Sequence, residues 1–446
     1  MKRALREIKL SDHFSYGKLL RFTLPSIGMM IFTSIYGMVD GFFVSNFVGK
    51  VPFAAVNFIY PFLMVLGSVG FMFGTGGSAL VSKTMGEGKP EKANRIFSLL
   101  VYTSLILGIA ITLAGILFLR PIAKLLGAEA QMLDDCVLYG RVILLGLPAF
   151  ILQLEFQNFF ITAEKPKLGL YVTIASGVAN MVLDALLVIP FGLVGAALAT
   201  ATSQIVGGIV PLIYFARPND SLLHLGKAGF DGRALLKTCT NGSSELMSNI
   251  SMSMVNMLYN IQLLKFAGED GIAAYGTMMY VNFVFLSAFI GYSIGTSPVV
   301  SFHYGAQNRS ELKSLLKKSS VIIGLCSAAM LALGWALAIP MSRLYAGYDP
   351  ALLEITVHGF KIFAWSFLFA GFAIFFSGFF TALNDGLTSA VISFLRTLVF
   401  QIAAVMLLPL RWGIDGIWWS VVVAEVMAVL VGLIFLVAKR KKYGYA

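Results

Sequence analysis

Pro121-Ile-Ala-Lys-Leu125 returns as Pro340-Met-Ser-Arg-Leu344, 219 residues further along the chain. The same spacing joins Ala54-Ala55 to Ala273-Ala274, Val81-Ser82 and Gly86 to Val300-Ser301 and Gly305, and Thr162-Ala163 to Thr381-Ala382. Pro190 pairs with Pro409, and Gly192 and Gly195 pair with Gly413 and Gly416 after a two-residue insertion. Random matches do not hold one spacing across so much chain. The sequence is an internal duplication.

What is duplicated is apolar. Of 446 residues, 58% are hydrophobic and 12% charged, with a mean hydropathy of +0.83. A soluble domain carries about 25% charged residues, so this chain lacks the charge to cover a surface facing water, and lipid is its main solvent. A bilayer-crossing helix needs about 20 mostly apolar residues. On that criterion we read twelve spans, at 19–45, 53–82, 97–119, 137–161, 168–190, 194–215, 238–264, 271–300, 319–339, 356–382, 387–409 and 414–438. Strands are not expected, because open sheet edges cannot stand in lipid. The fold class is therefore an all-α integral membrane protein of two pseudo-symmetric six-helix lobes, 1–216 and 238–446, joined by a basic linker at 217–237.

Six spans per lobe is an even number, so both lobes enter the bilayer in the same sense and are related by an axis along the membrane normal. Basic residues set the orientation. With the N-terminus inside, the cytoplasmic segments hold Lys2, Arg3, Arg6, Lys9, Lys83, Lys89, Lys92, Arg95, Lys165 and Lys167, then Arg217 through Lys237, Arg309 through Lys318, and Lys439 through Lys442. The other side holds far fewer, among them Lys50, Arg120, Lys124, Lys265, Arg343 and Arg411. The bias of about three to one places both termini in the cytoplasm. It also accounts for the net charge of +11 without nucleic acid.

Several classes of function are excluded. No G-x-x-x-x-G-K-[ST] loop is present, and Gly74-Thr-Gly-Gly77 lies in an apolar segment without the lysine, so the chain does not burn ATP itself. Cys136, Cys239 and Cys326 are scattered and give no disulfide framework or metal spacing. The four histidines form no H-E-x-x-H pattern. A membrane-embedded enzyme would need a nucleophile or metal constellation inside the spans, and none is visible, so no catalytic residue and no cofactor is expected. Two parallel lobes leave a seam at their axis, where secondary transporters place substrate.

Ionisable residues inside spans are costly and are functional candidates by default. Asp40 lies in Tyr36-Gly-Met-Val-Asp40-Gly, and Asp184 in Asn180-Met-Val-Leu-Asp184, whose i, i+4 spacing puts Asn180 and Asp184 on one face. Carboxylates with amide and hydroxyl oxygens suit a small hard cation, and two nearby carboxylates also share a proton. Asn158 and Thr202 are further oxygen donors for such a site. The other reading of these groups is interhelical glue. The second lobe places Asn256 opposite Asp40 and Ala403 opposite Asp184, so it has no matching acid pair. Glu245 and Glu155 read either as cavity charges that attract cations or as interhelical bonds; the partners of Arg396 and Glu425 stay open. Aromatic faces and methionines suit promiscuous cation sites, with Tyr36, Met254 and Met257 as candidates. Pro25 interrupts the first span about four turns before Asp40 and is the candidate hinge.

With these residues in view, the chain resembles the multidrug and toxic compound extrusion (MATE) family over its whole length. Pro25 and Asp40 in the first span, the turn at Gly86 and the Asn180/Asp184 pair carry the resemblance. It implies proton- or sodium-coupled export of small amphipathic organic cations; the apolar spans are consistent with a monomeric carrier in the plasma membrane whose only other partner is the bilayer. It further implies that Asp40, Asn180, Asp184 and Thr202 form the cation site, with Asn158 near it. The nearest rival is a flippase of lipid-linked oligosaccharides or lipids from the same superfamily. That rival would want a strongly cationic cavity, and away from their ends the spans hold one arginine, Arg396, and several acids.

Overall fold

A computed structural model describes residues 8–347 and 349–445. Lys2, Arg3, Arg6 and the side chain of Lys50 lie outside the described residues. The chain forms α1 (Tyr16–Phe47), α2 (Lys50–Gly86), α3 (Pro90–Leu125), α4 (Ala130–Thr162), α5 (Pro166–Ala216), α6 (Gly232–Gly305), α7 (Arg309–Ala346), α8 (Pro350–Phe363), α9 (Phe367–Ala382), α10 (Gly386–Phe394), α11 (Phe400–Leu407), α12 (Pro409–Trp412) and α13 (Ile414–Tyr443). No strand occurs among the described residues. Several helix starts are written in the sequence. Pro90, Pro166 and Pro350 stand in first turns, where a missing N–H is no loss. The side chains of Ser15, Asp231, Asn308 and Asp385 accept N–H groups of the helices they precede.

Among the described residues, ten helical stretches are long and apolar enough to cross a membrane. Two of them cross twice. At 51 and 74 residues, α5 and α6 far exceed the length of one crossing. Each reverses at a glycine with left-handed φ, Gly192 (φ 54°, ψ −127°) and Gly268 (φ 64°, ψ −151°). The halves then pack antiparallel: in α5 the Ser176 hydroxyl donates to the Ser203 carbonyl at 2.7 Å, and in α6 the Tyr259 and Tyr275 rings stack with centroids 5.4 Å apart. The result is the twelve crossings that the hydropathy predicts.

The duplication is repeated in backbone conformation. Gly88 and Gln307, 219 residues apart, both take positive φ (74° and 56°); Glu164 and Asn384 do so at a spacing of 220 (61° and 58°); Gly192 and Gly413, 221 apart, share one conformation. The turns after α4 and α9 are equally long, so the second lobe gains one residue before the end of α9 and one more before Gly413. Between α10 and α11, residues Leu395–Val399 form a π-turn, which accommodates an extra residue within a helix. This corrects the sequence pairing. By the spacing of 219 Asp40 faces Tyr259 rather than Asn256, and by the spacing of 221 Asn180 faces Gln401 and Asp184 faces Val405 rather than Ala403. The absence of a second acid pair stands.

The lobes are closed at the end that carries the basic turns. A Cβ on Gly86 would lie 2.0 Å from the Phe302 carbonyl oxygen, and one on Gly305 would lie 2.0 Å from that of Lys83. Gly76 meets the α6 backbone at Thr238 and Gly242 in the same way, and its repeat partner Gly295 meets Thr23 and Ser26 of α1. Without a hydrophobic drive between helices in lipid, such small-residue contacts let backbones pack closely. The segment before α1 straps this closed end. Leu10 and Phe14 are fully buried. The Leu10 N–H donates to Glu164 of the first lobe at 2.6 Å, and the Phe14 N–H donates to Glu311 of the second at 2.9 Å. Residues 217–231 run without helix along α3, tied by the His224 N–H to Asn94 (2.8 Å) and the Gly226 N–H to Ser98 (3.0 Å).

Candidate functional site

In the first lobe, α5 presses closely on α1 because Gly177 has no side chain: a Cβ there would lie 2.5 Å from Phe32 and 2.7 Å from Tyr36. Asn180 and Asp184 follow Gly177 on the same face, so they meet the stretch of α1 that holds Tyr36 and Asp40. Asp40 and Asp184 lie within electrostatic reach of each other. Asp184 is 0% and Asn180 1% exposed, and both Asp184 oxygens and the Asn180 amide oxygen have no hydrogen-bond partner. Buried oxygens without donors are expensive, and a bound proton or small hard cation satisfies them.

The hydroxyl that reaches Asp40 is that of Thr200, at 3.4 Å. Thr202, two residues on and therefore on another face of the helix, is exposed. Tyr60 of α2 brings its phenol within electrostatic reach of Asp40, and Tyr139 of α4 within reach of both acids. Neither tyrosine nor Thr200 was predicted; nothing in the sequence separates Thr200 from Thr202 until the helical phase after Gly192 is known. Tyr36 belongs to this site, with Gln153 as neighbour, and not to the larger cavity described below. Asn158 donates to the Leu154 carbonyl of its own helix at 3.1 Å and packs against Gly74 of α2. Glu155 adjoins the same glycine, fully buried, with Ser104 beside its carboxyl. Neither touches Asp40 or Asp184.

The larger cavity, about 240 Å³, lies in the second lobe, with Met30 and Phe71 completing its wall from the first. One turn before Glu245, Gly242 packs closely on the Met72 carbonyl. One stripe of α6 lines it: Glu245, Ser248, Asn249, Met252, Asn256 and Tyr259 recur at helical spacing. Met254 and Met257 fall off that stripe and are 57% and 67% exposed; Met252 and Met279 take the place expected of them. Glu245 makes no ion pair and its carboxyl no hydrogen bond among the described residues. Opposite it, Arg396 in the π-turn grips Glu425 of α13 at two points, Nε to Oε2 at 2.9 Å and Nη2 to Oε1 at 2.9 Å. Tyr259 donates to the Gln401 oxygen at 2.7 Å. By the repeat, this neutral pair stands where the first lobe has Asp40 and Asn180. Pro25 is buried in an unbroken α1, at the level where Ser26 meets Gly291 and Gly295 of α6. Among the described residues no group of three or more His, Cys, Asp or Glu side chains gathers to hold a metal.

The MatE family model matches residues 25–186 and 246–407, one stretch in each half. The multidrug export protein MepA of Staphylococcus haemolyticus is 25% identical over 434 residues, covering 95% of this chain and 94% of that protein. MepA of Staphylococcus aureus is 24% identical over 428 residues, at 95% and 94% coverage. Among solved structures, the outward-facing conformation of a multidrug resistance MATE family transporter of the MOP superfamily superposes with a TM-score of 0.92 at 21% identity, covering 99% of both chains. A MOP superfamily transporter from Pyrococcus furiosus, described by the reverse polarity of its binding pocket, superposes with a TM-score of 0.89 at 22% identity, covering 97% of both. At these identities the structural likeness speaks for the fold.

Proposed function

The chain belongs to the MatE family, and on that footing we propose that it is a secondary active multidrug exporter that antiports amphipathic organic cations against protons or sodium by alternating access. The observation that carries this reading is that the oxygens of Asp184 and Asn180 are buried without donors inside a membrane-crossing bundle, within electrostatic reach of Asp40. Such a site takes up a cation or a proton and has no structural need for two acids. Asp40, Asp184, Asn180 and Thr200 hold the ion, with Tyr36 at its edge. The role expected of Thr202 passes to Thr200, and Asn158 supports the helix behind. The cargo occupies the cavity of the second lobe, where Glu245 is the cation's anchor and aromatic and methionine side chains receive its apolar part.

Ion and cargo favour opposite states, so each drives release of the other. Residues 1–216 and 238–446 act as the two rocking lobes and 217–237 as the tether. The protein is a monomer in the plasma membrane, with the basic, closed end and both termini in the cytoplasm. It works as a carrier, without cofactor and without catalytic residues. Pro25 is the hinge: its ring removes a backbone hydrogen bond where α1 crosses α6. Proton-driven transport by a folded Pro25→Ala variant equal to that of the wild type argues against the hinge.

The test is transport in liposomes. Purified protein is given a fluorescent organic cation and either a sodium or a proton gradient, alongside Asp40→Asn and Asp184→Asn. The expected result is transport driven by one gradient and lost in both variants. Folded wild type that moves several cationic dyes under neither gradient overturns the reading and favours the lipid flippase.

A further inference from the structure

The cavity of the second lobe holds more charge than a cation anchor requires. Three of its lining residues carry a formal charge: Glu245, Arg396 and Glu425. Arg396 and Glu425 face each other at 2.9 to 3.1 Å through three hydrogen bonds, and their side chains are 15% and 5% exposed. A guanidinium does not give up its proton, and a two-point pair to a carboxylate is among the strongest polar contacts available. Glu425 is thereby neutralised within the wall. Glu245 lies near enough to feel Arg396 but forms no ion pair with it.

We propose that Arg396 fixes the charge of the exported compound: by cancelling Glu425 it leaves Glu245 as the single uncompensated anion, and the cavity selects molecules bearing one positive charge. This rests on reading the cavity as the cargo site. A monocation brings the cavity to neutrality, a dication leaves it positive, and an uncharged compound leaves Glu245 unpaired. In a water-poor site each of these imbalances is far more costly than in water.

The arrangement is peculiar to the second lobe. Glu425 corresponds by the repeat to Gln204, so the first lobe has no anion at that place. Arg396 projects from the π-turn, and losing the extra residue there would rotate the neighbouring side chains about 100° around the helix axis. Arg396 acts through Glu425 and is a positioning residue for charge selection, not itself the anchor.

The experiment compares two rigid biaryl probes of similar shape, the monocation methylphenylpyridinium and the dication methyl viologen. Binding to detergent-solubilised full-length protein is measured by calorimetry. Wild type is expected to favour the monocation on the order of tenfold. Arg396→Gln, which leaves two uncompensated carboxylates, is expected to favour the dication. The double variant Arg396→Gln/Glu425→Gln removes the pair and keeps one negative charge, so it regains the wild-type preference. An Arg396→Gln protein that keeps the wild-type ratio, or a folded double variant that behaves like the single one, overturns the charge rule while leaving the export reading intact. Wild type that is folded and binds neither probe overturns the cargo site and the rule with it. Should Arg396→Gln fail to fold, Glu245→Gln carries the test: loss of the monocation preference supports the rule, and its retention overturns it.

Discussion

Replacing Gly86 with alanine probes the closed end of the molecule. The added methyl would lie 2.0 Å from the Phe302 carbonyl oxygen, whereas ordinary contact begins at 3.4 Å. The obstacle is backbone, so no side-chain rotamer relieves it, and the two helices must part by more than an ångström. Overpacking of this kind costs about 1–3 kcal/mol. The clash exists only while the lobes are closed at this end, so the cost falls on that state alone. A penalty of about 2 kcal/mol is a roughly thirtyfold change in population. Spin labels at Lys89, on the turn after α2, and at Arg309, the first residue of α7, read the separation by pulsed electron resonance once Cys136, Cys239 and Cys326 have been replaced. The short distance should lose population in Gly86→Ala and in Gly305→Ala, which meets the Lys83 carbonyl in the same way. Gly37→Ala, whose methyl meets nothing within 4 Å, should leave the distribution unchanged. A folded Gly86→Ala protein with the wild-type distance distribution refutes the argument that this contact holds the end shut.

Thr200→Ala should weaken ion-driven transport several-fold by removing the hydroxyl at 3.4 Å from Asp40, while Thr202→Ala should leave it unchanged; equal losses in a dose–response of rate against ion concentration would count against the proposed ion site. Asp385, outside the crossings, is pushed up by burial but held lower still, at about 2, by hydrogen bonds from Lys439 (2.6 Å), Tyr443 (2.7 Å) and the start of α10. Its depressed value contributes stability above pH 4 that is lost as pH falls toward 2, worth about 2 kcal/mol. Asp385→Asn should therefore melt several degrees lower at pH 7, with the gap to wild type closing on acidification; equal melting at pH 7 would show that the contacts add nothing.

The fold was legible because lipid makes a coarse demand. Length and apolarity suffice to mark a crossing, and the matched segments of the repeat fix the architecture. Even so, hydropathy did not reveal that the fifth and sixth crossings, and the seventh and eighth, are continuous through Gly192 and Gly268. The acids of the first lobe were legible for the same reason, since a carboxyl inside a span stands out. What the sequence hid depends on rotation about a helix axis. Thr200 and Thr202 differ only in phase, as do Met252 and Met254. Arg396 and Glu425 are far apart in sequence and meet only through the π-turn, so their pairing could not be read. Glu155 reads from sequence either as a cavity charge or as an interhelical bond, because its place depends on how α2 and α4 close over it at Gly74.

The extra residue in the π-turn also bears on how the two halves can change. Identical copies can be repaired from one another, and a useful substitution in one can spread to the other. A one-residue difference in the middle of a span blocks that exchange, because any segment copied across it arrives out of phase and turns its polar face toward lipid. The first half carries the acid pair Asp40 and Asp184; the second carries Tyr259 and Val405 at those places, and in its π-turn an arginine, Arg396.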